Sequence, residues 1–270
     1  MRYYVIILTV ILSTTPLFSK PSYHPAYTKF RDTAYLHTIS IAQLKKLYLI
    51  TLKEVKNSAE EDKEKFTTLA KIEFLMGTYY EFAIGDNYKI IIDVTQFNPK
   101  KGYNKLKRTK DAIFHFNRSI KYSNNAMKNG EFSDALTIRS NAAGQLCILK
   151  GIFYTLTHGL GVLNDSSKAR RLDKNNGKAL LLYASTKAYP PPIYFGNADH
   201  AIKLLNLTLS KPNLEKDDYF NIYLSMGLSY AKKKMNKKAI HWLNKSLHIY
   251  PSNKIAKELQ RQVTLNIYKR

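Results

Sequence analysis

Residues 220–253, FNIYLSMGLSYAKKKMNKKAIHWLNKSLHIYPSN, admit few folds. Tyr223, Met226, Gly227 and Tyr230 recur at three- and four-residue steps, which puts them on one helical face. Gly227 carries no side chain there, so a second helix can come close. Met235-Asn236 breaks the rhythm, with Asn236 the expected N-cap of the next helix. Ala239, Trp242, Leu243, Ser246 and Leu247 then form the facing stripe, with small residues where the backbones cross. Pro251 cannot continue that helix, and Ser252 or Asn253 suits the cap of the one after it. The segment therefore reads as an antiparallel helical pair closed at a glycine.

Parts of this spacing recur upstream. Gly77 and Tyr80, then Gly151 and Tyr154, repeat the Gly-x-x-Tyr step of Gly227 and Tyr230. Ala112, Phe116 and Ser119, then Ala201, Leu205 and Thr208, repeat the spacing of Ala239, Leu243 and Ser246. The periodicity predicts helices over about 34–58, 64–84, from 105 onward, 132–158 and 178–188, and a polar final helix from 255 to 268. His158-Gly159-Leu160-Gly161 is expected to end the fourth of these. The acids Glu60, Glu61, Asp62 and Glu64 suit a helix N-terminus, where negative charge meets the positive end of the dipole. Residues 20–33 read as an irregular lead-in. Two stretches interrupt the rhythm: a β-prone insertion at 85–104 and the Pro-rich loop YPPPIYFGN at 189–197.

The combination of Gly227, Tyr230, Ala239, Leu243, Ser246 and Pro251 resembles a tetratricopeptide repeat (TPR), a helical hairpin of about 34 residues. The resemblance implies an all-α fold of antiparallel hairpins stacked as a TPR-like solenoid. Residues 34–174 would form a degenerate region broken by the insertion, and 175–270 would form repeats closed by a capping helix. Gly77, Tyr80, Gly151, Tyr154, Gly227, Tyr230, Ala239, Leu243 and Pro251 would be the packing positions. The stretch AYPPPIYFGNADHAIKLL also resembles exported bacterial TPR proteins such as the periplasmic components associated with TRAP transporters, with Asn197 where a second glycine is common.

Such repeats bind and rarely catalyse. The resemblance places a groove on the first helix of the last pair, lined by Asn221, Leu224, Leu228 and Lys232. Repeats that clamp a peptide carboxylate carry cations or amides at such places. Leucines at two of them favour an apolar groove with a basic rim, suited to a peptide, a partner helix or a small apolar ligand.

The N-terminus MRYYVIILTVILSTTPLFSK reads as a secretory signal over 1–19. Arg2 precedes an apolar run that Pro16 interrupts, and the run is short for a span of about 20 residues. The expected location is periplasmic or secreted, with an uncleaved leader as membrane anchor the alternative. The chain of 270 residues carries a formal net charge of +23, which favours contact with anionic surfaces. Export argues against nucleic acid as the partner, and a protein or peptide of the envelope is expected instead. The single cysteine, Cys147, lies among apolar residues and reads as a small buried hydrophobe. The seven histidines make no zinc motif, and neither a phosphate-binding loop nor a nucleophile elbow is present. No catalytic residue, metal or cofactor is expected. The function expected is a binding scaffold of the cell envelope; a solute-handling component of a transport system, or less readily an envelope enzyme, are the alternatives.

Overall fold

A computed structural model describes residues 23–82, 107–189 and 196–266. The expected signal, the insertion at 85–104 and most of the Pro-rich loop lie outside the described residues. Within them the chain is all-helical. The helices are α1 (Pro25–Leu36), α2 (Ile41–Lys56), α3 (Asp62–Phe82), α4 (Lys107–Ala126), α5 (Ser133–Lys150), α6 (Ile152–Leu172), α7 (Gly177–Ala188), α8 (Ala198–Leu209), α9 (Lys216–Lys232), α10 (Asn236–Ile249) and α11 (Lys254–Thr264).

Adjacent helices pack in pairs: α3 with α4, α5 with α6, α7 with α8 and α9 with α10. Two of these pairs close in the same way. A Cβ added at Gly227 would lie 2.6 Å from Leu243 Cγ, and one at Gly77 would lie 2.8 Å from Phe116 Cε1. Ala239 and Ser246, like Ala112 and Ser119, are fully buried beside those contacts. Ser119 Oγ donates to the Ala70 carbonyl across the α3–α4 seam at 2.9 Å. The shared spacing therefore marks shared packing. Tyr80 is buried in the α1–α5 core, and Tyr230 packs against the cores on both sides of α9.

This geometry predicts a contrast between two glycines. Gly227→Ala forces fully buried Leu243 to move, at a cost of about 1–3 kcal/mol only partly offset by better helix propensity. Gly144→Ala on α5 meets only Val162 at an ordinary 3.7 Å, so it gains up to about 1 kcal/mol. Urea denaturation of the two variants should move in opposite directions. Equal shifts would mean that the α9–α10 approach is not tight.

Four expectations need correction. The lead-in is helical from Pro25, because a proline at the first helical position has the right φ and needs no N–H partner; His24 Nδ1 accepts from the Ala26 N–H. The helix expected over 34–58 is two helices. His37 adopts the left-handed conformation (φ 54°), and Ser40 opens α2 through a reciprocal capping box with Gln43. The helix expected over 132–158 also breaks, at Gly151, whose φ of 85° suits glycine and few other residues. An added Cβ there would touch nothing, so Gly151 is a joint, not a packing position, whereas Tyr154 packs against the α1–α5 core and stacks on His158 one turn on. Finally, His158–Gly161 does not stop α6, which continues to Leu172. A smaller shift places Met235, not Asn236, at the N-cap of α10.

The caps at the other end were legible. Asn253 accepts from the Ile255 and Ala256 N–H groups, so Pro251 and Asn253 mark the turn into α11. Asp62 and Glu64 occupy the first turn of α3. Cys147 is buried.

Candidate functional site

The expected groove exists as a surface of α9, but the chain itself covers it. Leu224 and Leu228 are buried in a cluster with Phe220, Leu243 and Tyr250, and Tyr35 and Leu36 of α1 pack against that cluster. The Tyr35 ring stacks on Tyr250 at 4.9 Å and meets Phe220 edge-on at 5.4 Å. Asn221 Nδ2 donates to the Tyr35 hydroxyl at 3.0 Å. Lys232 Nζ donates to the carbonyls of Ala188 and Tyr189 at 2.5 and 2.6 Å, satisfying the C-terminal end of α7. All four groove residues thus face partners within the chain.

The end of α1 is fastened by the turn after α10. Ser252 Oγ donates to the Leu36 carbonyl at 2.6 Å and Asn253 Nδ2 to the Tyr35 carbonyl at 3.0 Å. These are carbonyls that a helix end leaves without internal partners. His37 Nδ1 accepts from the Lys254 N–H at 3.3 Å. Burial, then the Lys254 charge, lower the His37 imidazole to about 4, so it stays neutral and able to accept.

Beside this contact lies a buried ionic cluster drawn from four helices. Arg31 of α1 donates to Glu215 Oε2 at 2.7 Å and to Asp217 Oδ1 at 3.2 Å. Lys71 of α3 lies 3.7 Å from Asp217, and Lys178 of α7 lies 3.2 Å from Glu215. Asp218 closes a capping box by accepting from the Glu215 N–H at 2.9 Å. The acids all stand at the start of α9, where the helix dipole favours negative charge. Three cations face three carboxylates. Burial, then its neighbour Asp217, push the Asp218 carboxyl up to about 7. Tyr250 OH adds a bond to Asp32 at 2.8 Å on the solvent side.

A second polar cluster sits among α2, α3 and α4. Glu73 is fully buried; it accepts from Tyr48 OH at 2.9 Å, lies 2.7 Å from His115 Nδ1 and 3.0 Å from Arg118 Nε. His115 stacks on Tyr80 at 5.4 Å. The pair resembles an oriented base, yet the Glu73 oxygens are engaged by structural partners and no nucleophile adjoins it among the described residues. Also among the described residues, no group of three or more His, Cys, Asp or Glu side chains could hold a metal ion, and no helix is long and apolar enough to cross a membrane.

A half-open cleft lies at the α6–α7 turn, lined by Arg170, Asp173, Lys174, Asn176, Leu180, Leu207 and Lys211. No protein-family model matches the chain, and no curated protein matches it.

The sequence pattern groups Leu224 and Leu228 on one face of α9 but does not show that α1 covers it. Arg31, Lys71 and Lys178 gave no sign of convergence; Arg31 and Glu215 are 184 residues apart in the chain. The available signal was the acidic run Glu215, Asp217 and Asp218, which like the run at Glu60–Glu64 stands at a helix start.

Proposed function

We propose that the protein is a TPR-like scaffold of the cell envelope that docks a protein or peptide partner and catalyses no reaction. The observation that supports this most is the seating of α1 on α9. An amphipathic helix lies there with an aromatic anchor, Tyr35, between Phe220 and Tyr250. That is the helix-in-groove mode by which stacked hairpins bind targets. In this chain the inner face of the last pair holds the chain's own first helix. The partner is therefore assigned to α10, which exposes His241, Asn244 and Lys245.

Photo-reactive residues placed at His241 and Lys245 in the native cell test the reading. One discrete cross-linked protein, lost when the same residue is moved to fully buried Leu243, is the expected result. Absence of any cross-link, with the chain recovered alone, would remove the basis for a scaffold. The reading of a solute-handling component draws on the α6–α7 cleft, where Arg170, Lys174 and Lys211 offer cations to a small anion. It ranks second because that cleft is half open to solvent.

A further inference from the structure

Helix α6 carries an apolar face that the described residues leave uncovered. Phe153 is 84% exposed, Leu156 69%, Leu160 72% and Leu163 46%. Their spacing of three, four and three residues puts them in one stripe about 15 Å long. The segment behind the stripe, IFYTLTHGLGVLN (152–164), holds no Asp, Glu, Lys or Arg in a chain where 23% of residues are charged. Toward α5 the same turns present small groups: Val162 lies against Gly144, and Thr155 Oγ1 donates to the Cys147 carbonyl at 3.1 Å. The first half of α6 is thus uncharged all round, with Thr157, His158 and Asn164 exposed beside the apolar stripe, and an exposed apolar stripe of this kind marks an interaction surface.

Charge decides what covers it. Lys150 stands at one end of the stripe, and Arg170 and Arg171 at the other, while Lys168 is paired with Glu131. A second copy docked on this face would bring basic end against basic end in either orientation, and each copy carries a net charge of +23. An anionic leaflet meets both demands: apolar depth for the stripe and negative headgroups for the flanking cations. We propose that α6 lies in the plane of an anionic lipid surface, with Phe153, Leu156, Leu160 and Leu163 immersed and Lys150, Arg170 and Arg171 at headgroup level. This rests on α6 alone and stands whether or not a protein partner binds α10.

The test uses the full chain carrying Phe153→Trp with Trp242→Phe, so that one indole reports on the stripe. Vesicles of phosphatidylcholine with about 30% phosphatidylglycerol should shift its emission to the blue, and brominated acyl chains should quench it. Pure phosphatidylcholine should do so weakly. Leu156→Asn with Leu160→Asn leaves the charge unchanged and, with both sites exposed, leaves the fold unchanged by circular dichroism. It should weaken the indole's transfer to anionic vesicles at least tenfold. An indole that stays accessible to iodide with anionic vesicles present overturns the proposal. So does one already shielded without lipid, which would mean another part of the chain or a second copy covers the stripe. Any leader-mediated binding leaves these readouts intact, because they follow residue 153 and not the chain.

Discussion

Replacing Arg31 with methionine should destabilise the protein by about 3–5 kcal/mol, seen as a fall of about 10 °C in Tm. Arg31 is 3% exposed, and its guanidinium answers Glu215 and Asp217 together. Methionine fills similar space but leaves two buried carboxylates facing Lys71 and Lys178 alone. The loss is that of uncompensated charge, not of one contact. Arg31→Lys keeps the charge and loses the planar fork that reaches both acids, so it should fall between the two. Glu215→Gln in the Arg31→Met background should cost much less than Glu215→Gln alone, the mark of a shared interaction. The same variants should raise protease cutting near His37, because α1 loses its grip on α9 while the α9–α10 pair stays closed. A change below about 1 kcal/mol for Arg31→Met would show that the apolar contacts of Tyr35 and Leu36 hold α1 unaided.

What was legible in the sequence follows the range of the interactions. Gly227 with Leu243, and Gly77 with Phe116, are contacts inside hairpins, and the spacing of small and large residues encodes them directly. The joints were harder. Gly151 sits in a helix-compatible pattern, and only its φ of 85° makes it a break. The lead-in over 20–33 gives no helical rhythm, yet Pro25 opens a helix, since a proline ends one helix and starts the next with equal ease. Periodicity fixes that Asn221, Leu224 and Leu228 share one face of α9, but that face is core, not an open groove. Their occupant comes from the far end of the chain, and no local pattern carries a contact across that distance. The α6 stripe was hidden for the opposite reason. A stretch free of charged residues reads as core, and only its exposure in three dimensions separates it from one.

The second large effect concerns one acid. Glu81, near the end of α3, is 5% exposed, and its Oε2 has no hydrogen-bond partner among the described residues. Burial pushes its carboxyl from the ordinary 4.5 up to about 8. Between those values the folded protein holds a proton that the unfolded chain has released. Stability contributed by this group is therefore full below pH 4.5 and is lost as the pH rises toward 8, with a slope of at most about 1.4 kcal/mol per pH unit. At pH 7 the accumulated loss is about 3 kcal/mol. Glu81→Gln keeps the shape and stays neutral at every pH, so it should be more stable than the parent by about that amount at pH 7 and equal to it near pH 4. Urea midpoints of the two proteins measured from pH 4 to 9 give the difference directly. Asp218, also raised, and the His37 imidazole titrate alike in both chains and cancel. Parallel profiles would mean that the Glu81 carboxyl is ionised in the fold with a cation beside it. A gap that opens with rising pH and levels off above 8 identifies it as a buried acid held neutral by its surroundings.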